Sequence, residues 1–282
     1  MLLLLAALAG ALPQDTDTTV TVRAGSRLNL DNFEGAVTIT TWTRNSMRVQ
    51  ATHDDDTRVD IDVRGTTVGV RGRSRYGPPE VEYRLTVPAD MNLEISTHSG
   101  DVGIEGTKGE VQVQTVEGRI TVSGGTGRVA LSSVEGEVQL TGASGRINIS
   151  AVDGSVTVRG ARGDLQISSV DGAVLLEDID ATSVEASTVD GAIEFTGTFQ
   201  ESGRYRLSSH DGDVTVTVPS IDAACTVSTY EGDFESDFPV TITGTRSRKR
   251  LDFVLGKGSA RVELESFDGS VRLRKSSSGR RP

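Results

Sequence analysis

The sequence predicts an all-β chain: a single-stranded parallel β-solenoid, or β-helix, with 18-residue coils and an irregular β cap at its N-terminal end. Three observations predict it. Glycines recur every nine residues at Gly100, Gly109, Gly118, Gly127, Gly136, Gly145, Gly154, Gly163 and Gly172. From Gly118 onward an acid precedes every second one, so the full period is eighteen. Between the turns apolar and polar residues alternate, the mark of strands with one buried face.

The chain divides into four parts. Residues 1–14 read as a signal peptide, because Met1 to Leu12 form an apolar block ending in small residues. That block is shorter than the roughly 20 residues a membrane-spanning helix needs. The expectation is therefore an exported chain with no stable membrane span after the signal is removed. Residues 15–90 lack regular glycines but still alternate, as in Val59/Ile61/Val63 and Val81/Tyr83/Leu85/Val87. They are read as the cap that blocks an open sheet edge. Asn32-Phe33-Glu34-Gly35 looks like an early copy of the repeat.

Residues 91–275 are the solenoid. After the acidic turns come Ile120/Val122, Val138/Leu140, Val156/Val158 and Val174/Leu176; after the others come Val111/Val113, Val129/Leu131, Ile147/Ile149 and Leu165/Ile167. One unit cannot bury these alone, but units stacked about 4.8 Å apart enclose a continuous core. Thr115, Ser133, Ala151 and Ser169 fall on the same inward face, as does Cys225, the single cysteine. Between Gly232 and Gly269 lies a stretch read as about two further coils, with Arg246, Arg248, Lys249 and Arg250 in a loop. Residues 276–282 are expected to be a disordered basic tail.

The acids and glycines of the turns should stack into a ladder: Glu117, Gly118, Glu135, Gly136, Asp153, Gly154, Asp171, Gly172, Asp190 and Gly191. Calcium needs six to eight oxygens, yet one acid at alternate turns supplies few. Repulsion between neighbours about 4.8 Å apart in water is only about 0.9 kcal/mol. The ladder is thus read as structural, with no metal or other cofactor. His98 and His210 stand two residues before a turn glycine, where other coils carry Val116 or Tyr230, and are read as corner-packing residues.

No Gly-x-Ser-x-Gly elbow, zinc spacing or phosphate-binding glycine loop is present. A polysaccharide-cleaving β-helix would want paired carboxylates and aromatic platforms, and aromatics are only 4% of this chain. The net charge of −11 argues against nucleic acid as a partner. Arg246, Arg248, Lys249 and Arg250 are the candidate contacts for an anionic partner.

Two segments carry a resemblance. One is the strand ending Leu85-Thr86-Val87-Pro88, followed by Leu93-Glu94-Ile95-Ser96-Thr97-His98-Ser99-Gly100-Asp101-Val102; the other is Gly256 to Val271, with Ser266-Phe267-Asp268-Gly269 at its turn. On these the chain resembles, over roughly residues 28–274, the bacterial putative-adhesin domain family, a β-strand repeat domain of unknown function. The resemblance implies a non-catalytic adhesin-like scaffold of the cell envelope or secreted space, contacting an envelope protein or glycan. The alternatives are a self-assembling envelope element and a polysaccharide-active or calcium-dependent β-helix.

Overall fold

The computed structural model describes residues 14–240 and 250–276. The signal assigned to 1–14 lies outside the described residues except for Gln14, as do Arg246, Arg248, Lys249 and all of the tail but Ser276. Every regular element among the described residues is a β-strand, and none is a helix able to cross a membrane.

The strands form two long ribbons with the apolar residues between them. Through the middle, one ribbon runs Val102–Thr107, Ile120–Gly124, Val138–Thr141, Val156–Arg159 and into Val174–Asp190. The other runs Asn92–Ser99, Val111–Glu117, Thr126–Glu135, Ser144–Asp153, Arg162–Ser168 and into the second part of Val174–Asp190. All of these pairings are parallel. Leu93, Val111, Val129, Ile147 and Leu165 stack in register, each eighteen residues after the last. The molecule is all-β and solenoid-like, and the alternating residues named above are its core: Val111, Val129, Ile147, Val156 and Val174 are all buried. Burying such a side chain contributes about 1.5–3 kcal/mol.

The acidic turn requires glycine for two reasons. Gly154 has φ +142°, and a Cβ there would come within 2.3 Å of the Gly136 carbonyl oxygen. The neighbouring turn glycines make the same approach, so each rung lies directly on the backbone of the one before. At the opposite corner Gly142 and Gly160 hold φ near +60°, and Asp178 takes the third place in that column at φ 54°. Aspartate tolerates this left-handed region better than most residues. Around it the register shifts, and from there the period loosens: Val174 pairs with Ile193 and Ile193 with Val214.

The ends depart from the expected simple winding. Strands Arg27–Glu34 and Val37–Trp42 lie inside the stack, between the layer of Thr67–Ser74 and Val81–Pro88 and the layer of Asn92–Ser99 and Val102–Thr107. The early copy at Asn32-Phe33-Glu34-Gly35 is thus a full rung, with Glu34 opposite Ser99. At the other end Ala260–Asp268 and Val271–Lys275 pass between the layer of Arg204–Asp211 and Val214–Val218 and the layer of Ala223–Thr229 and Phe234–Ser236. The stretch after Gly232 is therefore not two successive coils. It contains Arg250–Leu255, which folds back antiparallel on Ala223–Thr229, before the threaded rung. Antiparallel pairings also close the N-terminal end, joining Gln14–Thr21, Ser46–His53 and Val81–Pro88 in one ribbon, and Thr57–Arg64 with Thr67–Ser74 in the other. A purely parallel coil would leave both end layers as open templates.

Candidate contact surfaces

Each acidic corner breaks the alternation. Thr115 points inward, Val116 and Glu117 both point out, and Ile120 points in again. The stack therefore carries two adjacent outer columns along one edge. In register, the acid column runs Glu80, Glu34, Ser99, Glu117, Glu135, Asp153, Asp171, Asp190, Asp211 and Asp268. Glu231 follows through its N–H to the Phe267 carbonyl. None of these carboxylates takes part in a described ion pair. Among the described residues no group of three or more His, Cys, Asp or Glu side chains converges to hold a metal ion.

The column beside it holds His98 and His210, which do pack at the corner against neighbouring rings, and otherwise carries exposed apolar side chains. Phe33, Val116, Val134, Val152, Val170, Val189, Phe267 and Tyr230 are 38–52% exposed. Eight of the eleven exposed large apolar residues among the described ones stand in this column. His98 stacks on Phe33 at 4.8 Å, and His210 on Phe267 at 4.8 Å, with Tyr230 at 4.9 Å beyond. The result is a continuous apolar ridge. The sequence signal was present in the Val-Glu-Gly and Val-Asp-Gly triplets: two residues before a corner glycine, an apolar side chain need not face the core.

The broad faces are polar and regular. Ser132, Ser150, Ser168, Ser187 and Ser208 line up in register on one face. Farther along the same strands a depression of about 610 Å³ runs over Gly127, Gly145 and Gly163, lined also by Arg128, Arg146, Glu110 and Asp164. A larger one of about 920 Å³ lies over the N-terminal layers, lined by Asn29, Asp31, Asp60, Asp62, Arg71 and Glu94 among others. Two of its carboxylates are paired: Arg73 with Asp60 at 2.8 Å and Arg64 with Asp62 at 2.6 Å. Burial, with Asp31 and Asp60 nearby, pushes the Tyr83 phenol up. The Thr16 hydroxyl lies 3.0 Å from Nε2 of His53, but neither residue lines these cavities.

Of the candidate anion contacts, Arg250 opens the hairpin strand and pairs with Asp252 at 3.3 Å. The C-terminal end is held by other carboxylates. Asp222 accepts N–H bonds from Ser259 at 3.2 Å, Lys257 at 2.7 Å and Gly258 at 2.7 Å, which hold its carboxyl below the usual range. The Arg272 guanidinium and the Ser270 N–H do the same for Asp213.

The family model Toastrack DUF4097 matches residues 14–274. The chain belongs to this family. Two solved structures share its fold. A putative adhesin from Bacteroides fragilis is 13% identical, with a TM-score of 0.51, covering 92% of this chain and 97% of its own. A putative adhesin from Parabacteroides distasonis is 12% identical, with a TM-score of 0.51 and the same coverage, 92% and 97%. At these identities the likeness is one of fold alone. A search of curated proteins gives no match.

Proposed function

We propose that this Toastrack chain is a non-catalytic, exported scaffold of the bacterial envelope or secreted space, adhesin-like in role, whose flat sheet faces contact a protein or glycan. The observation that carries the reading is the in-register polar face, with its serine column and the glycine-floored depression beside Arg128 and Arg146. Such a face presents many identical hydrogen-bonding positions at one spacing, which suits a repetitive polymer or an extended polar surface better than a single small substrate. The adhesin names of the two structural neighbours agree with it. Assembly by end-to-end stacking is a weaker reading. The end strand Thr57–Arg64 bears Arg58, Asp60, Asp62 and Arg64, and Phe234–Ser236 is three residues long; charged and very short edges resist further pairing.

The test is retention of the protein on isolated bacterial envelope and on an array of envelope glycans, with Ser150→Glu plus Ser168→Glu as the face variant. The reading expects binding by the wild type and loss of it in a variant that melts normally. Cleavage of a glycan by the wild type, or no retention on any fraction, would count against it.

A further inference from the structure

The ridge and its acids form a second surface, distinct from the sheet faces. We propose that this edge is a docking site for a basic amphipathic α-helix of a protein partner, which lays its apolar stripe on the valines and its Lys or Arg side chains against the carboxylates. Val116, Val134, Val152, Val170 and Val189 stand on consecutive rungs, each exposed and each followed by an acid without a described ion pair. Water-exposed apolar area gathered into one line marks an interaction surface far more than scattered valines do. The spacing selects the occupant. Rungs are about 4.8 Å apart and helix turns about 5.4 Å, so a helix along the ridge drifts only about 2.4 Å over four steps. A strand, with same-face residues about 6.8 Å apart, loses register after two. The charge selects its sign: an uncompensated acid row favours a cationic partner and disfavours a second copy of a chain with net charge −11.

The probe is a helical peptide of about fourteen Leu and Lys residues, roughly 21 Å long and so able to cover five rungs. An oligolysine of equal charge serves as control, and binding to the full chain is followed by fluorescence anisotropy at low and high salt. One variant replaces the five valines with threonine (V116T, V134T, V152T, V170T, V189T), which keeps β-branching and shape. A second neutralises the acids (E117Q, E135Q, D153N, D171N, D190N). The proposal expects the Leu–Lys peptide to bind and oligolysine to bind more weakly. It expects the threonine variant to lose about tenfold in affinity, since the valines no longer remove apolar area from water. The neutral variant should lose both affinity and most of the salt dependence. Four results would overturn it: no peptide binding, equal binding by oligolysine, unchanged binding by the threonine variant, or a wild-type dimer that the threonine variant abolishes. The last would make a second copy the occupant, and none of the four touches the sheet-face reading, whose variant lies elsewhere.

Discussion

Between Leu93 and Asp190 the partner of a residue on the next rung can be counted off along the chain, whereas at either end it cannot: Arg27 pairs with Asn92, and Val214 with Val271. The middle is repetitive because every rung meets the same neighbours, so one turn and one inward pattern serve each time. An end rung has a neighbour on one side only. Both ends meet this in the same way. An antiparallel strand pairing covers the last layer, and a parallel rung distant in sequence is threaded one layer in. Regularity in this fold is a property of the interior, and closure is the work of irregular sequence.

The largest effect that separates middle from end is expected at Val156, fully buried in a central rung. Val156→Asp places an unpaired charge between the ribbons at a cost of several kcal/mol, and cooperative thermal unfolding should vanish. A variant that melts like the wild type would break the inward assignment. Next comes a pair of glycines. Gly154→Ala must displace the Gly136 carbonyl and should cost about 2 kcal/mol or more. Gly160→Ala, with φ +63° and nothing nearer than 4.0 Å, should cost only about 1 kcal/mol. Equal losses in denaturant titrations would mean that the rungs do not rest on one another at the acidic corner.

A smaller effect belongs to the C-terminal end. The Asp222 carboxyl is held low by its N–H bonds, so its contribution is present above the unfolded carboxylate value of about 3.9 and is lost as pH falls through the lower folded value. Amide exchange at Lys257, Gly258 and Ser259 should accelerate relative to the central rungs as the pH is lowered through that range, and Asp222→Asn should show the acceleration already at neutral pH. Uniform behaviour along the stack would remove the distinction between end and middle. The smallest effect is expected at Asp153→Asn, an exposed ladder acid, whose stability should stay within about 0.5 kcal/mol of the wild type.

Much of the middle was legible in the sequence. The glycine spacing carried the rung, and alternation placed Val111, Ile147, Ser133 and Cys225 correctly inside. The threading was not legible, because rungs with interchangeable apolar pairs fit many neighbours and only the three-dimensional closure of the ends chooses among them. Nothing in Val262/Leu264 says that they will pair with Tyr205/Leu207 rather than with a preceding hairpin. The ridge was not legible for a different reason: alternation counted along a strand does not carry across the corner, which turns two successive residues outward and leaves Val134 and Val152 in water.

The stack order can be measured directly by pulsed electron resonance between spin labels on one outward column. Gln114, Ser208, Glu265 and Ser228 lie on that column in register, and Cys225, buried with its thiol pushed up to about 12, stays out of the labelling reaction. From Gln114 the rung spacing predicts about 24 Å to Ser208, about 29 Å to Glu265 and about 34 Å to Ser228. Distances that follow the sequence instead, with Ser228 nearer than Glu265, or that fail to grow rung by rung, would contradict the threaded stack.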